Sequence, residues 1–462
     1  MAELTTPEDG MKITRDTKFA PGVYYLPNGI EIGADGITLD GNGALLVGAA
    51  SWAPFGSAQG KPLSQRSRGV RVNQKLSVTL RNLNVERFYH GIWVNASANI
   101  RVLNCQVTRT HEIAGQDTFL DVWLDRTEAY GGGIFFSGIK DSFIEGNDVQ
   151  HQQNGIMLYG CNNVEIVRNN ASFNSGYGIL LYESSQNTVD HNIADYCSRM
   201  YHSSNWDVVK DVAEFKYHNG GDAAGLVMMS SSSLNTITNN KLRGGGDGVF
   251  LGGFHKDQIK VPCNDNVFEN NDGSWSPNIA FEATFSERNI FRNNRADKCK
   301  YGFWLGYSSH TTVENNSIKD NWIAGVAIEH GHHNTIEGNT FERNREGVQL
   351  WVGAASGTRP AFVNWFPESA ESYETAIKGN TFTRHDIAVH GWSALREGGS
   401  GLRCHHFTVV ENELADNRVA IQFERVRESS IANNRIFDNA EAGIKLIGSP
   451  DVAVAANQME RV

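Results

Sequence analysis

The chain has 462 residues, a formal net charge of −11, 47 Gly against 10 Pro, and six scattered Cys with no CxxC pair. No run approaches 18 consecutive apolar residues, which excludes a membrane-spanning helix, and the acidic balance argues against a nucleic-acid partner. The opening Met1-Ala-Glu-Leu-Thr-Thr-Pro-Glu-Asp lacks the basic-then-apolar plan of a secretion signal; this leaves localisation open between the cytoplasm and a secreted or periplasmic protein whose leader has been removed.

Taken in order, residues 1–35 hold two short alternating stretches, Phe19-Ala-Pro-Gly-Val-Tyr-Tyr and Gly29-Ile-Glu-Ile, expected as cap strands over an open solenoid end. Gly36-Ile-Thr-Leu-Asp-Gly-Asn42 then opens a repeat that continues to residue 462 as one domain. The repeat is plainest in Ile279-Ala-Phe-Glu-Ala, Gly302-Phe-Trp-Leu-Gly-Tyr, Gly325-Val-Ala-Ile-Glu-His and Gly347-Val-Gln-Leu-Trp. After each of the first three, an Asn follows at a spacing of 22 or 23 residues: Asn294, Asn316, Asn339. The same Asn is traced back through Asn42, Asn82, Asn104, Asn147, Asn170, Asn192, Asn240 and Asn271, and on to Asn380, Asn412, Asn434 and Asn457. A fixed period of this size with short alternating strands predicts a solenoid in which each repeat is one coil. The Asn residues are expected as a stacked ladder at a turn that tolerates left-handed angles. The six Cys (105, 161, 197, 263, 299, 404) are expected to be reduced.

The Gly36-to-Asn42 opening and the recurring Asn-x-[Ile/Val]-x-x-Asn pattern resemble the right-handed parallel β-helix proteins of the pectate-lyase-like and NosD-like superfamily. The resemblance covers nearly the whole chain and implies an all-β fold. It does not choose among glycoside hydrolases, polysaccharide lyases, uronate epimerases and non-enzymatic binders.

Alternation places one set of strand residues outward on one sheet, and this face is rich in aromatic and apolar side chains, as a covered or ligand-binding face would be. Insertions at 48–68, 108–131, 195–221, 253–263, 352–372 and 391–405 gather along its edges and carry Trp52, Trp123, Trp206, Trp365 and Trp392, suited to stacking on sugars. Glu282 and Glu329 are placed in one outward column two coils apart, with Gly252 and Gly306 leaving a hollow and Trp304 and Trp351 framing it. Two carboxyls at such a site are what glycosidic bond cleavage uses. Asp222 and Asp247, in Gly-rich turns, are candidate second carboxylates or sugar ligands. His330, His255 and Tyr307 join Trp304, Trp351, Trp365 and Trp392 as candidate substrate-binding residues, with Lys256 beside His255.

No metal is assigned: His330, His332 and His333 fall in a turn without carboxylates at matching spacing, and calcium on acids such as Asp222 and Asp247 is the one cofactor left open. Ile328-Glu-His-Gly-His-His-Asn also resembles the Arg-His-Gly strand and turn of β-helix alginate and chondroitin lyases, with Glu329 standing where their Arg would be. The expectation is a glycoside hydrolase on a neutral oligo- or polysaccharide; a lyase or epimerase and a non-catalytic carbohydrate binder are the alternatives. Oligomeric state stays open.

Overall fold

A computed structural model describes residues 4–48, 67–113, 120–202, 217–219, 223–257, 259–353, 366–394 and 402–461. Asp222, Trp52, Trp206 and Trp365 lie outside the described residues. The chain divides into two compact units, residues 1–247 and 248–462.

In the second unit each coil contributes three strands, because apolar residues recur inward at every second position and corners interrupt them. Ile290–Arg292, Arg295–Asp297 and Tyr301–Trp304 make one coil. They pair parallel and in register with Thr312–Glu314, Ser317–Lys319 and Ala324–Glu329 of the next. Those pair in turn with Thr335–Glu337, Thr340–Glu342 and Glu346–Val352. Three parallel sheets result, and the inward column packs like on like: Phe268 on Phe291 and Phe341 on Phe382, each with ring centroids 4.5 Å apart.

The first unit follows the same plan from its start. Leu4–Thr5, Lys12–Ile13 and Gly22–Tyr25, expected as a separate cap, instead pair parallel with Thr17–Phe19, Ile30–Ile32 and Ala44–Val47. They are the first coils themselves, since their alternation already satisfies the inward positions. No helix among the described residues is long and apolar enough to cross a membrane.

At the corners the Asn ladder is real, but two neighbouring positions divide its work. Asn294 donates its N–H and Nδ2 to Oδ1 of Asn316 at 2.7 and 3.1 Å, and its Nδ2 also reaches the Phe268 carbonyl at 2.9 Å. Asn316 repeats this on Asn339, and Asn339 on Asn380. These side chains are buried, so each saturated amide satisfies a corner that water cannot reach. The left-handed residue is the one before: Asn293 and Asn315 have φ of 56° and 55°. In the early coils, Asn42, Asn82 and Asn104 hold the left-handed position and not the ladder. Asn169, not Asn170, continues the ladder from Asn147 to Asn192. All six Cys are buried and free.

Candidate functional site

The sheet containing Ala324–Glu329 and Glu346–Val352 has the longest strands, and its outward face carries the candidate residues. Register decides which of them are neighbours. Glu282 pairs with Trp304, Trp304 with Ala327, Ala327 with Gln349, Gln349 with His390, and His390 with Gln422. Glu329 pairs with Trp351, Trp351 with Trp392, and Trp392 with Glu424. Glu282 and Glu329 therefore stand in different columns, two residues apart along the strand direction. The frame slips because Ala280, not a Gly, occupies the position of Gly302 and Gly325, so Glu282 follows the inward Phe281 as Trp304 follows Phe303.

The hollow between them is filled. A side chain at Gly306 would lie 3.2 Å from Nε1 of Trp304, whose indole covers that position. Trp304 meets Trp351 edge to face at 5.5 Å, and the two close over Ala327, which is fully buried. Glu329 is 4% exposed, lodged where a Cβ on Gly353 would come within 2.7 Å of its Oε1. It cannot serve as an open rim carboxylate in this conformation; Glu282 is half-buried and retains access.

Tyr307 and His330 are packing residues. Phe285, Tyr307 and His330 stack with centroids 4.7 and 5.0 Å apart, all with left-handed backbone, under Phe366. His330 Nδ1 also lies 2.9 Å from the Ala370 carbonyl oxygen. His255 sits in a hairpin formed by Phe254–His255 and Ile259–Lys260, facing Asp257 at 3.3 Å. Asp247 opens the strand Asp247–Gly252 and is fully buried, with no accessible surface to offer a substrate. Trp392, expected in a loop, lies within the strand Ile387–Ser393 and stacks on Trp351 at 6.1 Å with an interplanar angle of 9°.

The residues that do converge lie one to three coils further on. His390 Nδ1 is 3.2 Å from Glu346 Oε2, and its Nε2 points to Glu424 Oε1 at 3.6 Å. Gln422 Nε2 donates to that same Glu424 oxygen at 2.6 Å. Glu346, His390 and Glu424 have side chains 14%, 13% and 26% exposed, so Glu424 is the carboxyl most open to a ligand. The cluster escapes a sequence reading because Glu346 precedes the Gly of its strand, His390 follows Ala388 instead of a Gly, and Glu424 looks like surface. Its signal is only the register that superposes Gln349, His390 and Gln422.

Metal-ligand geometry occurs elsewhere. His405, His406 and Glu428 each present a donor atom within 4.8 Å of the others, the group among the described residues that could hold an ion. His333 does find a carboxylate, Glu374, from the neighbouring coil. Spacing within one turn could not disclose a partner contributed by the next.

Among solved structures, the chain is similar to the periplasmic alginate epimerase AlgG, at 10% identity and a TM-score of 0.38, covering 96% of this chain and 79% of that one. It is similar to the A-module of an Azotobacter vinelandii mannuronan C-5 epimerase at 13% identity and a TM-score of 0.35, covering 95% and 91%. A GH87 alpha-1,3-glucanase catalytic unit from Streptomyces thermodiastaticus matches at 15% identity and a TM-score of 0.37, covering 95% of this chain and 62% of that one. Likenesses this distant assign neither substrate nor chemistry to this chain. No curated protein sequence matches it. Residues 63–212 and 217–361 match the family described as the right handed beta helix region, and the chain belongs to that family.

Proposed function

We propose that this protein is a carbohydrate-active enzyme, a glycoside hydrolase that lays a neutral oligo- or polysaccharide along the outward face of the long-strand sheet in its second unit. The observation that carries the reading is His390 held between Glu346 and Glu424, beside the parallel indoles of Trp351 and Trp392. The half-buried ring of Trp392, backed by the buried Trp351, gives a sugar an apolar face to stack on, and carboxyls beside it supply proton transfer. Contacts of 3.2 and 3.6 Å on opposite ring nitrogens hold the two carboxyls an imidazole apart. In this reading Glu424 meets the glycosidic oxygen or the attacking water, Glu346 is its counterpart, and His390 moves the proton between them. Glu282 and Trp304, in the column that leads to His390, extend the floor as a flanking subsite.

Net charge −11 and three acids on the floor favour a neutral glycan over a polyuronate. A lyase or epimerase is the second reading, favoured by one observation: an imidazole on the floor is a base suited to taking a proton beside a uronate. A panel of glycans, assayed for reducing ends and for unsaturated-uronate absorbance, separates them. Hydrolysis releases reducing ends without the absorbance. Absorbance gain supports elimination, a changed uronate epimer ratio without either product supports epimerisation, and binding with none of these leaves a non-catalytic carbohydrate binder.

A further inference from the structure

At a corner of the second unit, away from the glycan floor, two imidazoles face one another. The strand Cys404–His405 pairs parallel with Ser372–Tyr373 on one side and Val426–Arg427 on the other. Glu371 and Glu428 flank those neighbours, so residues from three successive coils meet here.

Glu371 is fixed: its Oε1 accepts the Arg403 N–H at 3.0 Å, and its Oε2 lies 3.1 Å from His405 Nε2. An ionised carboxylate only accepts, so His405 Nε2 carries the proton and Nδ1 presents a lone pair. His406 Nε2 stands 3.3 Å from Glu428 Oε2, an exposed pair in which the carboxylate is free to move. The two Nδ1 atoms are 2.5 Å apart. Two ring nitrogens at that distance need either a proton or a metal ion between them. Tyr373 stacks on His405 at 5.2 Å and 5°, which holds that ring in place.

We propose that His405, His406 and Glu428 bind one divalent cation of the zinc class, stapling two successive coils together, with Glu371 of a third coil behind His405. Imidazole donors select zinc and its first-row neighbours over calcium or magnesium. Metal–nitrogen bonds of roughly 2.0–2.1 Å require the two rings to open by about 1 Å or less. Glu428, with its side chain 63% exposed, swings from the outer nitrogen of His406 to the cation as the third donor. Glu371 remains behind His405 as the outer carboxylate that orients it. The staple also secures the coil of Trp392, because Cys404 N–H donates to Ser393 Oγ at 2.9 Å and Cys404 Sγ lies 3.1 Å from the Trp392 carbonyl oxygen.

The test is titration of chelator-treated full-length protein with Zn²⁺ and with Co²⁺, read by calorimetry, metal analysis and cobalt d–d absorbance. One equivalent should bind with imidazole-type absorbance, and zinc should raise the melting temperature. His406→Ala should weaken binding about 100-fold and abolish the thermal shift, and Glu428→Gln should weaken it about 10-fold. Both side chains are largely exposed, so these variants should fold; His333→Ala, at the corner where His333 faces Glu374, should bind as wild type. Absence of stoichiometric binding, or equal binding by His406→Ala, overturns the proposal. A shared proton, seen as imidazole titration without metal uptake, overturns it as well.

Discussion

The outward face of the long-strand sheet is built in opposite ways in the two units. In the first, from Gly132–Ser137 to Ala224–Met229, it is apolar and roofed: Phe135, Met157, Leu180 and Val227 are at most 2% exposed, and the rings of His90, Phe135, Tyr159 and Tyr182 follow one another at 4.5–5.3 Å. Leu120, Val122 and Tyr130 are buried above it, tied down by Tyr89 Oη on the Ala129 carbonyl and Tyr182 Oη on the Trp123 carbonyl. In the second unit the corresponding face carries Glu282, Glu346, His390 and Glu424, all half-buried and reachable. An aromatic-rich face is thus covered in that stretch of the first unit and partly open to water in the second. Apolarity alone does not distinguish the two stretches; ionisable groups left partly in water among the aromatic rings do.

That contrast breaks most sharply at the proposed acid. Glu424→Gln should lower turnover about 10³-fold while leaving glycan binding within a few fold, measured by reducing-end kinetics and calorimetry. His390→Ala should lose a similar factor. Tyr182→Phe, on the roofed face, should leave kcat unchanged. Equal loss in Tyr182→Phe, or none in Glu424→Gln, would remove the functional difference between the faces.

Stability should divide the other way. Phe135→Ala deletes a ring 1% exposed inside the first unit's stack and should cost about 4 kcal/mol in chemical denaturation. A loss below about 1 kcal/mol would show the roof to be loosely packed.

How much of this the sequence discloses follows from its periods. The 22- and 23-residue spacing and the inward alternation are written in local residue types, so coil, sheets and ladder can be read directly. Alternation has a period of two, however, and a slip of two residues leaves every inward side chain inward. Gly marks the frame at 302, 325 and 347; where Ala280 and Ala388 replace it, Glu282 and His390 slide into the wrong column. The same ambiguity hides which Asn of the pair 293–294 is left-handed and which is stacked. Burial of Glu329 depends on Gly353, 24 positions later, and no local pattern carries that.

Acid should act on a ladder of the second unit. His385 stands where the flanking coils use Asn, donating its N–H to Asn417 Oδ1 at 2.9 Å, and burial pushes its pKa down to about 4. The folded protein keeps it neutral, while the unfolded chain protonates near the ordinary 6.5. Stability from this site is therefore complete above pH 6.5 and is lost as pH falls towards 4, by about 3 kcal/mol. The first unit's ladder, Asn147 to Asn169 to Asn192, has no such group. His385→Asn should abolish this slope in denaturation at pH 7 and 4.5; an unchanged slope would place the titration elsewhere, His332 being the next group with a pKa near 4.

The smallest effect concerns the floor itself. Trp392 is half-buried, and its main partner is the parallel indole of Trp351. Trp392→Ala should therefore cost only about 1–2 kcal/mol in stability, well below Phe135→Ala, because part of the ring is already in water. Its consequence should appear in KM, raised about 10-fold with kcat nearly unchanged, since stacking on a sugar acts equally on ground and transition states. A drop in kcat with KM untouched would mean that Trp392 positions Glu424 across the strand pair, and that the aromatic column serves the acid more than the glycan.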